Sequence, residues 1–342
     1  MRNERSLPML ALKIVFSILF LLVSSNLSAY CEPYKLAIPL GLTEPAIPEN
    51  NPMTVEKIAL GKKLYFDKRL SADDTVACSN CHDPKLGFAD ALPTSAGIRG
   101  QFGPRNAPTV LNSAFYDLQF WDGRVPSLED QAKGPIINPV EMGMASHDDL
   151  VKKLKGIPEY VKDFQAVFGA EITIDRIVQA IAAFERTLIS GNSPFDRFFY
   201  NSESDAISEP AKKGLLVFRG KGRCLNCHDF NPIYALFTDN KFHNIGVGMD
   251  KAEPDPGRFK VTGNSADQGA FKTSTLRNIA LTAPYMHDGS QKTLEEVVEF
   301  YNQGGHKNPY LDGGIVPLNL TDQEKKDLVE FLKSLTGELP KL

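Results

Sequence analysis

Apolar residues fall at helical spacing in four stretches, and the four form two similar pairs. Val55 to Phe66 carries Ile58, Leu60, Leu64 and Tyr65 at roughly helical intervals; far downstream, Glu209-Pro210 opens a short helix through Leu215, Leu216 and Phe218. Each opening helix has a later amphipathic companion. In the first half this is Ile174 to Ile189, with Ile177, Ile181, Phe184 and Leu188 on one stripe. In the second it starts at the capping box Thr321-Asp322-Gln323-Glu324 and runs through Leu328, Phe331, Leu332 and Leu335. Gly61-Lys62-Lys63-Leu64-Tyr65-Phe66 aligns with Lys213-Gly214-Leu215-Leu216-Val217-Phe218 as a weak internal repeat. Residues 32 to 53 are rich in proline without apolar periodicity, which predicts an extended arm. Two Gly/Pro-punctuated stretches, Gly87 to Met144 and Phe230 to Tyr301, are long enough to be read as functional loops.

At 342 residues the chain is long enough for about two domains, each with its own core. Hydrophobic content of 42% and charged content of 23% are ordinary for a soluble globular protein. A formal charge of -4, with no dense Lys/Arg block, argues against nucleic acid as a partner. At the N-terminus Arg2, Arg5 and Lys13 precede the apolar run Ile14 to Val23 and the small-residue ending Leu27-Ser28-Ala29. That order predicts a secretory signal peptide over residues 1–29, with an apolar run too short to span a bilayer comfortably, and hence a periplasmic protein. The extended arm then begins at residue 30 and leads, at about residue 44, into the first domain.

Cysteine usage changes the picture most. Four of the five cysteines lie in Cys78-Ser79-Asn80-Cys81-His82 and Cys224-Leu225-Asn226-Cys227-His228. In a C-x-x-C-H string two thiols one helical turn apart form thioethers to porphyrin vinyl groups, and the next side chain reaches the iron, so two covalently bound c-type haems are expected. His82 and His228 are then the proximal ligands. Zinc ribbons pair such knuckles about 15–20 residues apart, which does not fit these distant strings. Cys31 is left over, and Tyr30 before it is a poor fit to the small residue that lipoprotein processing needs. Helix, haem loop and closing helix recur in each half. The expected fold is therefore mainly α: two cytochrome c-like helical haem domains with enlarged loops, spanning 45–200 and 201–342.

The loop segments carry a resemblance. Asn106-Ala107-Pro108-Thr109, Gln119-Phe120-Trp121-Asp122-Gly123-Arg124, Gln131-Ala132-Lys133-Gly134-Pro135 and Asn138-Pro139-Val140-Glu141-Met142 closely resemble segments of the bacterial di-haem cytochrome c peroxidases and MauG. So do Thr275-Leu276-Arg277-Asn278 and Ala283-Pro284-Tyr285-Met286-His287-Asp288-Gly289, and the likeness runs from about Leu60 onward. The resemblance implies an oxidoreductase acting on hydrogen peroxide. Trp121, the single tryptophan, matches the relay between the haems; alone it would be read as core packing, but its flanking residues reverse that. Glu141 matches the distal acid/base, a role that suits a carboxylate whose pKa is raised by apolar surroundings. Gln131 and Pro135 match other residues of the same pocket. Asn106, Thr282 and Pro284 match positions that hold one calcium ion, mainly through carbonyl oxygens. His243, His287, Arg277 and Arg124 are candidate partners of the haem propionates, His147 and His306 are surface residues, and Tyr116 and Tyr285 are core candidates.

Two departures from the standard peroxidase pattern stand out. The histidine that caps the peroxidatic iron at rest corresponds to Ile98, and no histidine occurs between His82 and His147, so the first haem is expected to be five-coordinate. Where the peroxidases place a methionine as sixth ligand of the second haem, this chain has Tyr301, as MauG does. A hard oxygen donor stabilises ferric and higher states, which predicts a low-potential second haem sharing the oxidising equivalents of the first. Met286 or Met249 is the alternative ligand. The electron source is either a small cytochrome c or cupredoxin or, in a MauG-like reading, a side chain of a protein substrate; the resemblance also allows a homodimer. A di-haem electron carrier without catalysis is the reading from another class, and it leaves Trp121 and Glu141 unexplained.

Overall fold

In a computed structural model the described chain, residues 34–342, is helical, with one two-stranded ribbon. The expected signal peptide, Cys31 and the start of the arm lie outside the described residues. The helices are α1 (Val55–Tyr65), α2 (Cys78–Cys81), α3 (Leu128–Ile137), α4 (His147–Lys155), α5 (Pro158–Phe168) and α6 (Ile174–Glu185), then α7 (Pro194–Tyr200), α8 (Glu209–Arg219), α9 (Phe259–Thr262), α10 (Leu294–Asn302) and α11 (Asp322–Lys333). β1 (Phe242–His243) pairs antiparallel with β2 (Phe271–Lys272). No helix among the described residues is long and apolar enough to cross a membrane.

Side-chain caps fix where the principal helices begin. Thr54, Ser127, Thr173, Ser208, Thr293 and Thr321 each accept a hydrogen bond from the third helical N–H, satisfying one otherwise orphaned donor. The stripe read from Ile174 to Ile189 leaves the helix early. At Thr187 the hydroxyl donates to Phe184 O (2.6 Å), so Leu188 and Ile189 are buried from the following turn instead.

Each half is built on a helix pair that crosses at a glycine. A Cβ on Gly61 of α1 would sit 1.8 Å from the carbonyl oxygen of Ala180 on α6, and one on Gly214 of α8 would sit 1.9 Å from that of Asp327 on α11. Only glycine permits backbones to approach so closely. The two glycines therefore correspond, and the structural register lies one residue from the alignment that sequence suggested. Around these crossings sit two cores: Leu60, Leu64, Ile136, Phe164 and Ile177 in the first, and Phe218, Phe237, Leu294, Phe331 and Leu335 in the second, which also takes Phe195 of α7. The arm remains non-helical up to Val55, as expected, and Leu36, Ile38 and Leu42 pack with Ile189 and Leu236.

The repeat extends into the loops with constant spacing. Asn112 and Asn278, both left-handed, precede the short turns Ser113–Phe115 and Ile279–Leu281. The bridge Gln119–Val125 matches Tyr285–Gln291, and the caps Ser127 and Thr293 match each other. Trp121 thereby corresponds to His287. Pro135 and Tyr301 each occupy the eighth position of their helices, α3 and α10.

Candidate active site

The two C-x-x-C-H strings fold alike but not identically. Cys78 and Cys81 bound the single-turn helix α2; Cys224 begins a 3₁₀ turn that ends at Asn226. All four thiols are free of disulfides. His82 Nδ1 lies 3.3 Å from Phe88 O, and His228 Nδ1 lies 2.9 Å from Phe237 O. Phe88 and Phe237 both have positive φ, so each turn aims its carbonyl back at the histidine. Burial pushes both imidazoles below their ordinary pKa and keeps them neutral. A neutral imidazole that donates from Nδ1 presents Nε2 as its lone-pair nitrogen, which is the form an iron ligand requires. Free thiol pairs and oriented imidazoles fit a c-type haem in each half.

The second site opens into a cavity of about 230 Å³ lined by Cys224, Cys227, His228 and Tyr301, with Trp121 and Met286 also on its wall. Burial pushes the Tyr301 phenol well above its ordinary pKa, the nearby cysteines adding to the effect. Met249 lies instead against Gly269. Asn106, Thr282 and Pro284 reach the same cavity, but the main-chain oxygen of Asn106 accepts the Trp121 indole N–H (2.9 Å) and its Nδ2 donates to Leu92 O (2.8 Å). Its side-chain oxygen is an atom open to a cation, beside the carbonyl oxygens expected to supply most of the ligands.

At the first site the chain doubles back on α3. Pro135 removes one helical N–H, and its own carbonyl accepts from Met142 N (3.2 Å), which folds Glu141 beside the helix that also carries Gln131. Asn138 Nδ2 donates to Glu141 Oε1 (2.6 Å), and Ile98 N donates to Glu141 O (2.8 Å). Ile98, the position expected to replace the capping histidine, is buried. Burial raises the Glu141 carboxyl pKa above the ordinary value, against opposing effects of Arg124 and Asn138. Glu141 also acts electrostatically on Cys81, which places the carboxyl on the side of the first attachment string.

Of the four expected propionate partners, Arg277 and His243 are fully engaged with carboxylates, and Arg124 and His287 are held in part. Arg277, almost fully buried, pairs with both oxygens of Asp196 (2.8 and 2.9 Å) and donates to Gly41 O (2.9 Å). Arg124 bonds Asp122 (3.0 Å) and lies 3.3 Å over the Phe120 ring. His243 is held between Asp312 (2.6 Å) and Asp239 (2.9 Å), so both ring nitrogens are used. His287 stacks on Phe271 with ring centroids 3.6 Å apart, and burial pushes it down to about 4. Cys227, Asp239 and His243 also lie within 4.8 Å of one another as a metal-like cluster, but a thioether at Cys227 leaves only two of the three donors. Of the lesser candidates, Tyr285 is core as expected and, like Tyr116, lines the second cavity, where Tyr116 accepts Thr275 N–H (3.0 Å). His147 and His306 stay partly exposed at the periphery.

A helical chain with two C-x-x-C-H strings, one beside a cavity that Tyr301 also lines, defines a two-centre redox protein of the c type. Residues 55–204 match the family described as "Di-haem cytochrome c peroxidase". The chain is 44% identical over 295 residues to the methylamine utilization protein MauG of Methylorubrum extorquens, covering 85% of this chain and 81% of that one. It is 40% identical over 294 residues to the cytochrome c551 peroxidase of Nitrosomonas europaea, covering 84% and 82%. The solved structure of a MauG-like protein associated with microbial copper homeostasis superposes with a TM-score of 0.80 at 34% identity, covering 89% of this chain and 96% of that one. The chain belongs to the di-haem cytochrome c peroxidase and MauG family, and is an oxidoreductase of the peroxidase type.

Proposed function

We propose that the protein works in the periplasm as a hydrogen peroxide reductase: His82 would hold the haem that takes the peroxide, His228 and Tyr301 would hold the haem that stores the oxidising equivalents, and Trp121 would relay between them. The observation that carries this reading is the helix correspondence: α10 offers a phenol where α3 offers Pro135, which has no donor atom to close the iron. When bound, the first haem supplies an open iron for peroxide and the second a store for oxidation. Glu141 takes the proton from the near oxygen of peroxide and returns it to the departing oxygen, and Asn138 holds the carboxyl in place. The Trp121 indole, hydrogen-bonded to Asn106 O, is the oxidisable bridge. Two electrons and two protons complete the conversion of one peroxide to two waters.

Those electrons come from a small cytochrome c or cupredoxin, or from a side chain of a protein substrate. Tyr301 favours the second source, since a hard oxygen donor slows the return of the store to its resting state. Steady-state turnover with peroxide and reduced cytochrome c tests this. Fast turnover selects the small redox protein, a persistent two-haem oxidised state selects the protein substrate, and haems indifferent to peroxide defeat both. A calcium ion between Asn106 Oδ1 and the carbonyls of Thr282 and Pro284 would brace the Trp121 loop; stripping it with a chelator should perturb the second haem's spectrum, and an unperturbed spectrum removes the ion from the account.

A further inference from the structure

One buried cation on the wall of the second cavity has no anion among the described residues. Lys272, on β2, is only 7% exposed. Its Nζ donates to the neutral carbonyl of Leu118 (2.7 Å) and lies 3.6 Å over the Tyr116 ring. Among the described residues no carboxylate is within ion-pair distance; Asp117 acts on it only through space. Of the other cations, Arg105 pairs with Asp122 and Asp255 and Arg258 donates to the carbonyls of Asp122 and Gly123, while Arg223, on the same wall, is exposed to solvent. A buried ammonium without an anion is expensive, and burial accordingly pushes this amine down to about 7.

We infer that Lys272 is the counter-ion of a propionate on the haem held by Cys224, Cys227 and His228. A c-type haem brings two carboxylates into its pocket, and of the residues that sequence suggested for them Arg277 and His243 are spent on aspartates of the protein. Among the described residues the Lys272 ammonium makes one hydrogen bond, to a carbonyl, with the Tyr116 ring beneath it; it keeps a donor for a further acceptor, and the side chain already borders the cavity. Pairing satisfies both buried charges at once and restores the protonated amine. It also ties the haem to the relay, because Lys272 N–H donates to Trp121 O (2.8 Å) while Nζ holds Leu118 at the other end of the same loop. The inference rests on the haem reading of Cys224–His228 and not on peroxide chemistry.

The test is the midpoint potential of the second haem in holoprotein, compared between native protein, K272M, K272Q and K272R from about pH 6 to about pH 9, a window that brackets the unpaired amine. Tyr116 and Asp117 of the Trp121 loop and His243 of β1 are the titratable neighbours, and they are common to all four proteins. Loss of the cation should lower the potential in K272M and K272Q by an amount constant across the window, with K272R close to native. A difference that fades above about pH 7 shows an amine titrating without a partner and overturns the pairing. Equal potentials in native protein and K272M overturn it as well. Should both uncharged variants fail to retain the second haem while K272R retains it, the need for charge stands; failure of all three makes Lys272 a packing residue. Native protein with two haems that ignores peroxide defeats the peroxidase reading and leaves the pairing intact.

Discussion

The first and second halves share a helix crossing at glycine, a C-x-x-C-H string, a phenylalanine carbonyl on the histidine and a capped helix on the far side of the site. They differ in what that last helix and the loop after it present. α10 carries Tyr301 into the cavity, whereas α3 carries Pro135 and turns back to bring Glu141 beside it. On the function proposed, a duplicated scaffold supports unequal chemistry through single positions: a donor atom would close one site, and its absence, with a carboxyl nearby, would leave the other to react.

The largest effect on this contrast should come from Glu141→Gln. Both haems remain attached, but reaction with peroxide slows by roughly 10²–10⁴-fold, the usual worth of acid/base assistance; stopped-flow rates equal to wild type would remove Glu141 from the mechanism. The pH profile adds a sign. A carboxyl whose folded pKa is raised must lose its proton to act as base, so the rate falls as pH drops through an inflection above the ordinary glutamate value, and Glu141→Gln flattens that limb. The same shift costs stability as pH rises through that folded pKa, because ionisation is then harder in the folded state than in the unfolded chain.

Next comes Tyr301→Phe. Removing the phenol oxygen should turn the second haem's spectrum toward that of the first and make the halves alike; an unchanged spectrum would hand the ligand role to Met286, which shares the cavity wall. The smallest effect should be structural and symmetric. Gly61→Ala and Gly214→Ala each force a Cβ onto a facing carbonyl, and each should cost about 1–3 kcal/mol in denaturant unfolding, the usual range for overpacking. A large loss in one half with none in the other would show that the crossings are not equivalent.

Legibility in the sequence followed the range of the interaction. Helices set by caps and stripes, such as Val55–Tyr65 and Asp322–Lys333, and the two attachment strings are local patterns, readable from the residues themselves. The resemblance supplied Glu141 and Tyr301, whose roles have no local signature. Missed altogether were the carbonyls of Phe88 and Phe237, since main-chain acceptors leave no trace in residue type, and Lys272, an unremarkable lysine until its burial is known. Arg277 was misread because its partner Asp196 lies 81 residues away and nothing local marks it. The repeat was legible as well, but its register was decided by which glycine touches a facing helix.

The inequality of the two sites is tested most directly by recording the spin states of the fully ferric protein and then adding peroxide without any reductant. One high-spin and one low-spin haem, both changing at once on mixing, is the predicted result. Two low-spin haems that respond only after half-reduction would contradict the account.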